Sequence, residues 1–440
     1  MNEYFNKINK SLFENLKGNE ILKTSVWGEN SQFIRVNGAK VRQTGIVNDL
    51  TFNIKLLNDK KQVSCSSTIT GILENDKNIL LNILKNLRND ITKVPNDPFI
   101  VFPTSKKCSE EIYKGDLLSQ DEACDILLKP MQGIDLTGLW ASGNIFTGVA
   151  NSVGQNHWFE TETFSLDYSL INKNKKMVKD CFAGTHWNQK KYENYIHSSK
   201  KQLELMDKAS IKIDPGNYKA YIAPAGVSDI VGMLSWGGIS ESSLQQKDSA
   251  LLKMRNENVK LSPCFSLKED FSNGMVPRFN SEGEIAPEKL PLITGGSLEN
   301  TLVSTRTEKE YGINSNFADS SESLRSPKIE LGNLDEKEIL GSIGNGVYLS
   351  NLHYLNWSDR LGGRITGMTR YACFYVENGK IIAPIENMRF DDTIYNIFGK
   401  ELNAVTNFDQ LIPDVGTYSK RNFGGTYCPG ILLEKFKLTL

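Results

Sequence analysis

Alternating apolar and polar residues near both ends of the chain predict antiparallel strands. The residues on either side of Asn37-Gly38 alternate in this way, and residues 50–56 continue the period of two. The same pattern surrounds Asn378-Gly379. Because Asn-Gly is the dipeptide most typical of two-residue hairpin turns, we predict a β-hairpin at each of these two places.

Two other stretches have apolar residues spaced by three and four positions, which predicts amphipathic helices. The first runs over residues 79–91 and the second over residues 192–206. Pro95-Asn96-Asp97-Pro98 follows the first helix and ends it, because proline cannot continue a helix. From residue 218 onward, strand patterns and glycine turns dominate.

Two breaks in the pattern, at residues 95–98 and 214–216, divide the chain into predicted segments. We predict an α+β fold, in which a mixed amino-terminal sheet with flanking helices precedes a β-rich, barrel-like carboxyl-terminal domain. A chain of 440 residues can bury most of its unfolded surface without disulfides or a structural metal. Residues 1–97 form a predicted strand-rich α/β segment, and residues 98–214 form a middle α/β segment that packs with it. Residues 215–440 form the predicted β-rich domain.

Composition excludes several classes of protein. The chain has 51 Lys and Arg residues against 52 Asp and Glu residues, so a basic face for nucleic acid is not expected. Its most apolar stretch, residues 221–239, contains Pro224 and Asp229 and therefore predicts a buried core element and no membrane span. The seven cysteines are scattered singly, and no secretory signal is readable at the start. We therefore expect a cytoplasmic protein with reduced thiols.

The residues alone reveal no self-evident active site. The four histidines lack the spacing of a zinc helix, and no nucleophile-elbow or dinucleotide-binding motif is present. Glu160 and Glu162 alternate on one predicted strand face next to His157, which would allow acid–base work or cation binding. The simpler interpretation is a half-exposed strand with two solvated carboxylates.

An ordered series of short motifs nevertheless resembles one known family. These motifs span the carboxyl-terminal half of the chain and look like those of the TldD/TldE (PmbA) proteins, the modulators of DNA gyrase. Asn151-Ser152-Val153-Gly154 in the middle segment is similar to the same family. The motifs are Pro224-Ala225-Gly226-Val227, Gly238-Ile239-Ser240, Phe279-Asn280-Ser281-Glu282-Gly283, Ile293-Thr294-Gly295-Gly296-Ser297, Gly344-Asn345-Gly346, Gly363-Arg364-Ile365-Thr366-Gly367 and Glu377-Asn378-Gly379-Lys380.

The resemblance implies a cytosolic metalloprotease that degrades unstructured peptides or matures ribosomally made ones. In that family the TldD subunit carries a His-Glu-x-x-x-His zinc motif and a distant cysteine ligand, whereas TldE lacks the motif. Here the motif position is occupied by residues 232–237, including Gly232, Met233 and Gly237, none of which is a zinc ligand. Cys428 lies near the place of the late cysteine. The chain is therefore most similar to TldE, and we predict no metal or other cofactor in it and zinc in a TldD-like partner.

This interpretation leaves catalytic residues unassigned and predicts a peptide cleft. Gly363, Arg364 and the residues Asn280, Ser281, Glu282 and Gly283 are the cleft candidates, although they also suit turns kept for backbone geometry. We expect the chain to form a heterodimer with a TldD-like subunit or a homodimer, and to bind a peptide substrate. We expect it to bind neither nucleic acid nor a membrane. Two alternatives stay open: a homo-oligomeric peptide-binding protein without hydrolysis, and a stand-alone hydrolase using Glu160, Glu162 or Glu282 with an unidentified metal.

Overall fold

The computed structural model of the protein describes residues 1–415 and 420–440. The described residues form an amino-terminal sheet with helices and a larger carboxyl-terminal sheet. The elements of the first part are α1 (Asn2–Glu14), β1 (Ile21–Asn37), β2 (Lys40–Asn58), β3 (Lys61–Thr68), α2 (Leu73–Asp90), β4 (Cys108–Tyr113), α3 (Ala123–Leu128), β5 (Asp135–Asn151), β6 (Asn156–Ile171), β7 (Met177–Gly184) and α4 (Gln189–Leu205).

The amino-terminal sheet is mixed, as predicted. Its strand order is β3-β2-β1-β5-β6-β4, β7 also pairs with β6, and only the β4–β6 pairing is parallel within this described sheet. The hairpin predicted at Asn37-Gly38 joins β1 to β2 and is confirmed. The predicted helices are also confirmed as α2 and α4, and both bury their apolar faces in cores formed with the sheet.

Helix α1 was not predicted from the sequence. It buries Phe5, Ile8 and Leu12 in a core shared with α2 and the sheet. These three residues are spaced by three and four positions, so the helical period was present in the sequence and was overlooked. Packing against the sheet stabilises this helix more than its own propensity does.

The carboxyl-terminal part is dominated by a sheet of antiparallel and parallel strands. Its elements are β8 (Gly216–Ile222), α5 (Pro224–Ser235), α6 (Glu241–Gln245), α7 (Leu252–Glu257), β9 (Leu267–Asp270), β10 (Lys289–Thr294), β11 (Ser297–Leu298), α8 (Thr305–Tyr311), β12 (Pro327–Ile329), α9 (Ile339–Ile343), β13 (Gly346–Asp359), β14 (Arg364–Glu377), β15 (Lys380–Pro384), β16 (Arg389–Thr393), β17 (Leu402–Pro413) and β18 (Gly425–Leu438).

The β-rich character of this domain is confirmed, but the sheet is not a closed barrel. The order is β11-β10-β9-β12-β18-β16-β14-β13-β8, with β15 beside β14 and β17 beside β18. Strand β8 pairs with both β13 and β18, which curls the middle of the sheet. The pairings then continue from β18 through β12 and β9 to β11, whose outer side has no partner among the described strands. The predicted hairpin at Asn378-Gly379 joins β14 to β15 and is confirmed.

Residues 221–239, predicted as a buried core element, form the end of β8, helix α5 and the turn after it. Most of α5 is buried between β13, β17 and β18 in the largest apolar core. Within the described ranges, each helix is too short or too polar to span a lipid bilayer. The strands of the first sheet come from both of the first two predicted segments, and the boundaries of those segments stay a prediction.

Candidate functional site

Helix α5 occupies the place where the resemblance locates the zinc motif of TldD. Pro224 in its first turn has the backbone torsion that a helix start requires. One side of the helix is buried in the core, whereas Asp229 and Gly232 are exposed. A Cβ atom added at Gly232 would meet nothing within 4 Å. This helix face is therefore open to solvent, and we call it the open face of α5.

The other two residues of the predicted motif position do not reach the open face. Met233 is buried in the core. Gly237 lies in the turn after the helix, where an added Cβ would be 2.9 Å from Cδ of Arg360. The guanidinium of Arg360 also lies 5.9 Å from the ring centre of Trp236, which is 51% exposed. Only Gly232 among the three presents its position to open space.

An incompletely paired strand runs beside the open face of α5. Strand β8 pairs with β13 only as far as Leu349, so the rest of β13 pairs with β14 alone among the described strands. The Asp229 carboxylate lies near the backbone N–H of Leu352, which favours its charged form. Although Asp229 keeps contact with solvent, its enclosure by protein raises its pKa to about 7, against the lowering effect of Lys179. Unpaired backbone groups of this kind can accept an extended peptide as an added strand.

A large cavity lies where the amino-terminal part meets the start of α5. Its volume is about 560 Å³, which is in the range of pockets for small ligands. Helix α4 and β7 form one part of its wall, and most of the rest comes from β8, α5, α9, β13, β14, β15 and β17. We call it the junction cavity. Its aromatic and charged wall residues include Lys179, Asp180, Lys191, Tyr195, Tyr221, Glu336, Tyr348, Phe374, Phe408 and Asp409.

Asp180 is the most constrained carboxylate of the junction cavity. Its Oδ1 atom accepts hydrogen bonds from Nε2 of Gln410 at 3.0 Å and from the N–H of Cys181 at 2.8 Å. Its Oδ2 atom has a longer contact of 3.5 Å with Oγ of Ser199. Burial raises the pKa of Asp180 to about 6, although these hydrogen bonds lower it. Asp180 therefore titrates close to neutral pH.

The predicted cleft residues Asn280 to Gly283 lie at the contact between the two parts of the molecule. Asn280 is buried, and its Oδ1 accepts the N–H of Glu282 at 2.9 Å. Ser281 is exposed, and its N–H donates to Asp319 at 3.2 Å. Gly283 has a φ of +78°, and its carbonyl accepts from Nε2 of Gln155 at 2.6 Å. These contacts hold a tight turn against the amino-terminal sheet.

Glu282 itself is enclosed by two lysines of that sheet. One carboxylate oxygen is bound by Nζ of Lys23 and the other by Nζ of Lys55 at 2.7 Å. Burial alone would raise the pKa of Glu282, but the two lysine charges outweigh it and hold the pKa below its ordinary value. The acid is thus engaged within the protein, and we call this cluster of Lys23, Lys55 and Glu282 the lysine clamp.

Gly363 and Arg364 lie elsewhere, at the turn between β13 and β14. Gly363 has a φ of +65°, which suits glycine in this turn, and its carbonyl accepts the N–H of Ile394 at 2.8 Å. Arg364 is partly exposed and pairs with Asp391 at 3.0 Å. The structure does not place either residue on the wall of the junction cavity. The peptide-cleft role of all six residues stays a prediction.

The paired carboxylates of β6 lie on one strand face, as the alternation predicts. Nζ of Lys114 contacts Glu160 at 3.3 Å and Glu162 at 3.0 Å. Nδ2 of Asn144 also donates to Glu160 at 2.6 Å. His157 is buried, 2.8 Å from Oγ of Ser109, and stacks on Phe279. Both carboxylates therefore have partners within the protein. A half-exposed strand, the simpler interpretation, is enough to explain them.

Comparisons with known proteins identify the family. Residues 215–440 match the family described as the PmbA/TldA metallopeptidase C-terminal domain, which is more than half of the chain. This chain belongs to the TldD/TldE/PmbA family. None of the curated proteins compared with the chain matches it.

Three solved structures of similar fold extend over nearly the whole TldD/TldE/PmbA-family chain. A candidate modulator of a DNA gyrase from Thermotoga maritima has a TM-score of 0.76 and 16% identity, with 99% of both chains covered. A candidate modulator of DNA gyrase from Bacteroides thetaiotaomicron has a TM-score of 0.79 and 16% identity, over 99% of this chain and 98% of that one. TldE from Thermococcus kodakarensis has a TM-score of 0.77 and 14% identity, over 99% and 100%. The fold is therefore shared from end to end.

Membership of this metallopeptidase family raises the question of whether α5 of this chain fits a metal. Gly232, Met233 and Gly237 have no donor atoms suited to zinc, and Cys428 is fully buried on β18. Among the described residues, no three His, Cys, Asp or Glu side chains come together in a way that could hold a metal ion. The residues present do not fit a catalytic zinc, and the absence of bound metal stays a prediction.

The junction cavity is the feature that sequence reasoning missed. Asp180 lies in an ordinary strand pattern, and its partner Gln410 is 230 residues away. In the sequence, the aromatic residues of the wall have the pattern of ordinary core positions. The one local signal is an aspartate directly before the buried Cys181 on β7, but this signal is too common to identify a site.

Proposed function

We propose that this chain is the zinc-free, TldE-like subunit of a two-chain cytoplasmic metallopeptidase. It pairs with a zinc-bearing, TldD-like chain and helps to hold unstructured peptides for cleavage or maturation. The observation that carries this proposal is the open face of α5, where Gly232 occupies the place of the family's metal motif and offers no ligand. The similarity in fold to TldE from Thermococcus kodakarensis supports the proposal.

The open face and the neighbouring strand suggest how the subunit handles peptides. β13 has unpaired backbone groups beyond Leu349, and these groups lie beside α5. Main-chain hydrogen bonds to such an edge bind extended chains with little selectivity for side chains. This property suits a peptidase for unfolded substrates. All seven cysteines lie within the described residues and have free thiols, which is consistent with a reducing compartment.

A reconstitution experiment tests the proposal. We expect the purified chain alone to contain less than stoichiometric zinc and to leave an unstructured peptide intact. Mixed with a zinc-bearing TldD-like chain, it should produce cleavage that a chelator abolishes. Elemental analysis and mass spectrometry of the peptide products measure both quantities for each chain alone and for the mixture.

The controls separate the three possible functions. Chelator-sensitive cleavage by the homogeneous chain alone would contradict the proposal and favour a stand-alone hydrolase. Failure to associate with the TldD-like chain, together with self-association and peptide binding, would favour a homo-oligomeric binding protein. Cleavage by the TldD-like chain at an unchanged rate without this subunit would also contradict the proposal.

A substitution on the open face gives a sharper prediction. Gly232→Leu should reduce cleavage by the mixture about tenfold or more, because the new side chain fills the space that a peptide beside β13 would occupy. The folded structure should tolerate the change, since an added Cβ meets nothing within 4 Å. Helix propensity should even add about 0.5–1 kcal/mol of stability. The measurements are peptide cleavage by the mixture and the melting temperature of the variant.

Gly341→Leu is the matched control for this substitution. Gly341 lies in α9, and an added Cβ there also meets nothing within 4 Å. The control should cleave as the unmodified chain does. Equal cleavage by both variants would show that the open face does not lie on the peptide path.

A further inference from the structure

The junction cavity has a negative wall that the proposed pairing with a zinc subunit does not use. Asp180, Glu336 and Asp409 line it, and none of the three forms an ion pair within the described residues. Of the two lysines on the wall, Lys179 is neutralised by Asp167 at 2.7 Å. Lys191 is the remaining basic residue. The fixed charges of the wall therefore favour a cation.

The pKa values of two cavity tyrosines are raised, in agreement with a negatively charged wall. Burial raises the pKa of Tyr195, and the neighbouring charges, including those of Asp180 and Asp409, raise it further. Burial and the charges of Asp180 and Glu336 raise the pKa of Tyr348 in the same way.

Aromatic rings and free hydroxyls surround the acids. Tyr221 and Tyr348 lie with ring centres 5.2 Å apart, and Phe374 follows at 6.2 Å from Tyr348. Phe408 completes this part of the wall. The hydroxyls of Tyr195, Tyr221 and Tyr348 have no hydrogen-bond partner among the residues that the structure describes. Aromatic faces attract cations, and hydroxyls can bond to a polar ligand.

The polar groups of the wall include donors as well as acceptors. Pro224 and Ala225, in the first turn of α5, also line the cavity. The N–H of Ala225 is not used within the helix, because the first turn of any helix leaves its N–H groups free. A ligand that suits the whole wall therefore combines a cation, apolar atoms and a carbonyl acceptor.

We propose that the junction cavity binds the amino-terminal residue of a peptide. In this arrangement the ammonium group lies at Asp180, and the first side chain lies among Tyr221, Tyr348 and Phe408. The inference deepens the proposed peptide-handling function and rests on it for its biological meaning. A lysine side chain offers the same ammonium chemistry, so the test must distinguish the two sources.

Binding to the lone, full-length chain tests the inference without requiring catalysis. Calorimetric titrations use leucyl-alanine amide, its N-acetylated form and Nα-acetyl-lysine amide. We expect the free dipeptide amide to bind at least about tenfold more tightly than the acetylated form, because acetylation removes the charged donor. Equal affinities for these two, or no binding by either, would overturn the inference. Tighter binding of the lysine derivative would overturn the assignment to an amino terminus.

Two variants assign the effect to the cavity. Asp180→Asn should weaken binding of the free dipeptide amide by about tenfold or more, because a neutral amide replaces the charged acceptor. The matched control Asp90→Asn removes an exposed acid on α2 and should change nothing. Tyr348→Phe, which deletes one hydroxyl and keeps the ring, should weaken binding several-fold even if the first variant folds poorly. Unchanged affinity in both cavity variants would place any binding site elsewhere.

The pH dependence supplies a further readout. Titratable groups surround Asp180 from several elements. The charged ones are Asp167 on β6, Lys179 on β7, Lys191 on α4, Glu336 before α9 and Asp409 on β17, and the neutral ones are Tyr168, Cys181, Tyr195 and Tyr348. Protonation of Asp180 below about pH 6 should weaken binding of the ammonium group. In Asp180→Asn this part of the pH profile should disappear. Failure of this binding test leaves the reconstitution result unaffected, so the inference and the proposed function can fail separately.

Discussion

Replacing Glu282 with glutamine should lower the free energy of unfolding by about 3–5 kcal/mol. The substitution removes the negative charge that both lysines of the clamp share. Lys23 has a side chain only 6% exposed, and Lys55 is 29% exposed. Glutamine keeps the size of the side chain, so the loss measures the charge and not a cavity. Urea unfolding followed by circular dichroism measures the change.

The large effect arises because the ammonium group of Lys23 stays buried without its carboxylate partner. Nζ of Lys23 also donates to the carbonyl of Val101 at 2.7 Å, which holds the ammonium group in place. Burial already lowers the pKa of Lys23, and Glu282 is its main compensation. An ammonium group that stays buried without its carboxylate costs more than the pair contributes when intact.

Two controls test this explanation. Glu288→Gln removes an exposed carboxylate on the same connection to β10 and should change stability by less than about 0.5 kcal/mol. Lys23→Met combined with Glu282→Gln should be more stable than Glu282→Gln alone, because the orphaned charge is gone. If Glu282→Gln costs no more than Glu288→Gln, the clamp does not stabilise the fold.

The clamp also shows what the sequence could predict and what it could not. The turn at Asn280 to Gly283 was readable, because glycine and asparagine have local conformational preferences. The partners of Glu282 were not readable, because Lys23 and Lys55 lie 259 and 227 residues earlier in the chain. The same limit applies to Asp180 and Gln410. Site candidates chosen from turn motifs therefore identified well-defined backbone, whereas their chemistry depended on distant residues.

The same distinction between local and distant signals holds for the fold. The hairpins at Asn37-Gly38 and Asn378-Gly379 and the amphipathic helices were predicted because a few neighbouring residues determine them. The course of the carboxyl-terminal sheet depends on β18, which pairs with β8, β12, β16 and β17. No local pattern specifies four partners for one strand. The sequence therefore predicted a β-rich, barrel-like domain, but not the order of its strands or whether the sheet closes.

Several contacts across the junction fix the cavity in the isolated chain. Arg306 pairs with Asp97 at 2.7 Å, and Gln410 binds Asp180 and Cys181 across the same boundary. The lysine clamp adds a buried contact. Of these contacts, the Gln410–Asp180 bond lies on the cavity wall and joins its two sides within the single chain. This is why binding to the lone chain is a fair test of the cavity.

The second large effect concerns pH: the protein should become less stable as pH rises from about 4.5 to 7 because of Glu269. This residue on β9 is 2% exposed, and burial raises its pKa to about 7 despite the nearby charge of Arg325. Its carboxylate accepts the N–H groups of Arg325 at 3.0 Å and Ser326 at 3.2 Å. An acid whose pKa rises on folding binds its proton more tightly in the folded state.

The sign of the effect follows from comparing the two states. Below about pH 4.5 both states are protonated at this residue, so its contribution to stability is fully present. Between about pH 4.5 and 7 the unfolded chain loses the proton while the folded protein keeps it, and stability falls with each pH unit. Above about pH 7 both states are ionised and the contribution is lost. The total change is about 3 kcal/mol.

Glu269→Gln should remove this change, because glutamine does not titrate. The measurement is the free energy of unfolding in urea at pH 5 and pH 8, compared between the unmodified protein and the variant. Glu330→Gln is the control, since Glu330 is 51% exposed, pairs with Lys268 on the same strand as Glu269, and should leave the pH profile unchanged. Glu282 opposes Glu269 only at lower pH, because its depressed pKa makes its contribution disappear as the solution becomes acidic. The difference between the two variants from pH 5 to pH 8 therefore isolates Glu269, and parallel profiles would mean that Glu269 is ionised in the folded protein throughout this range.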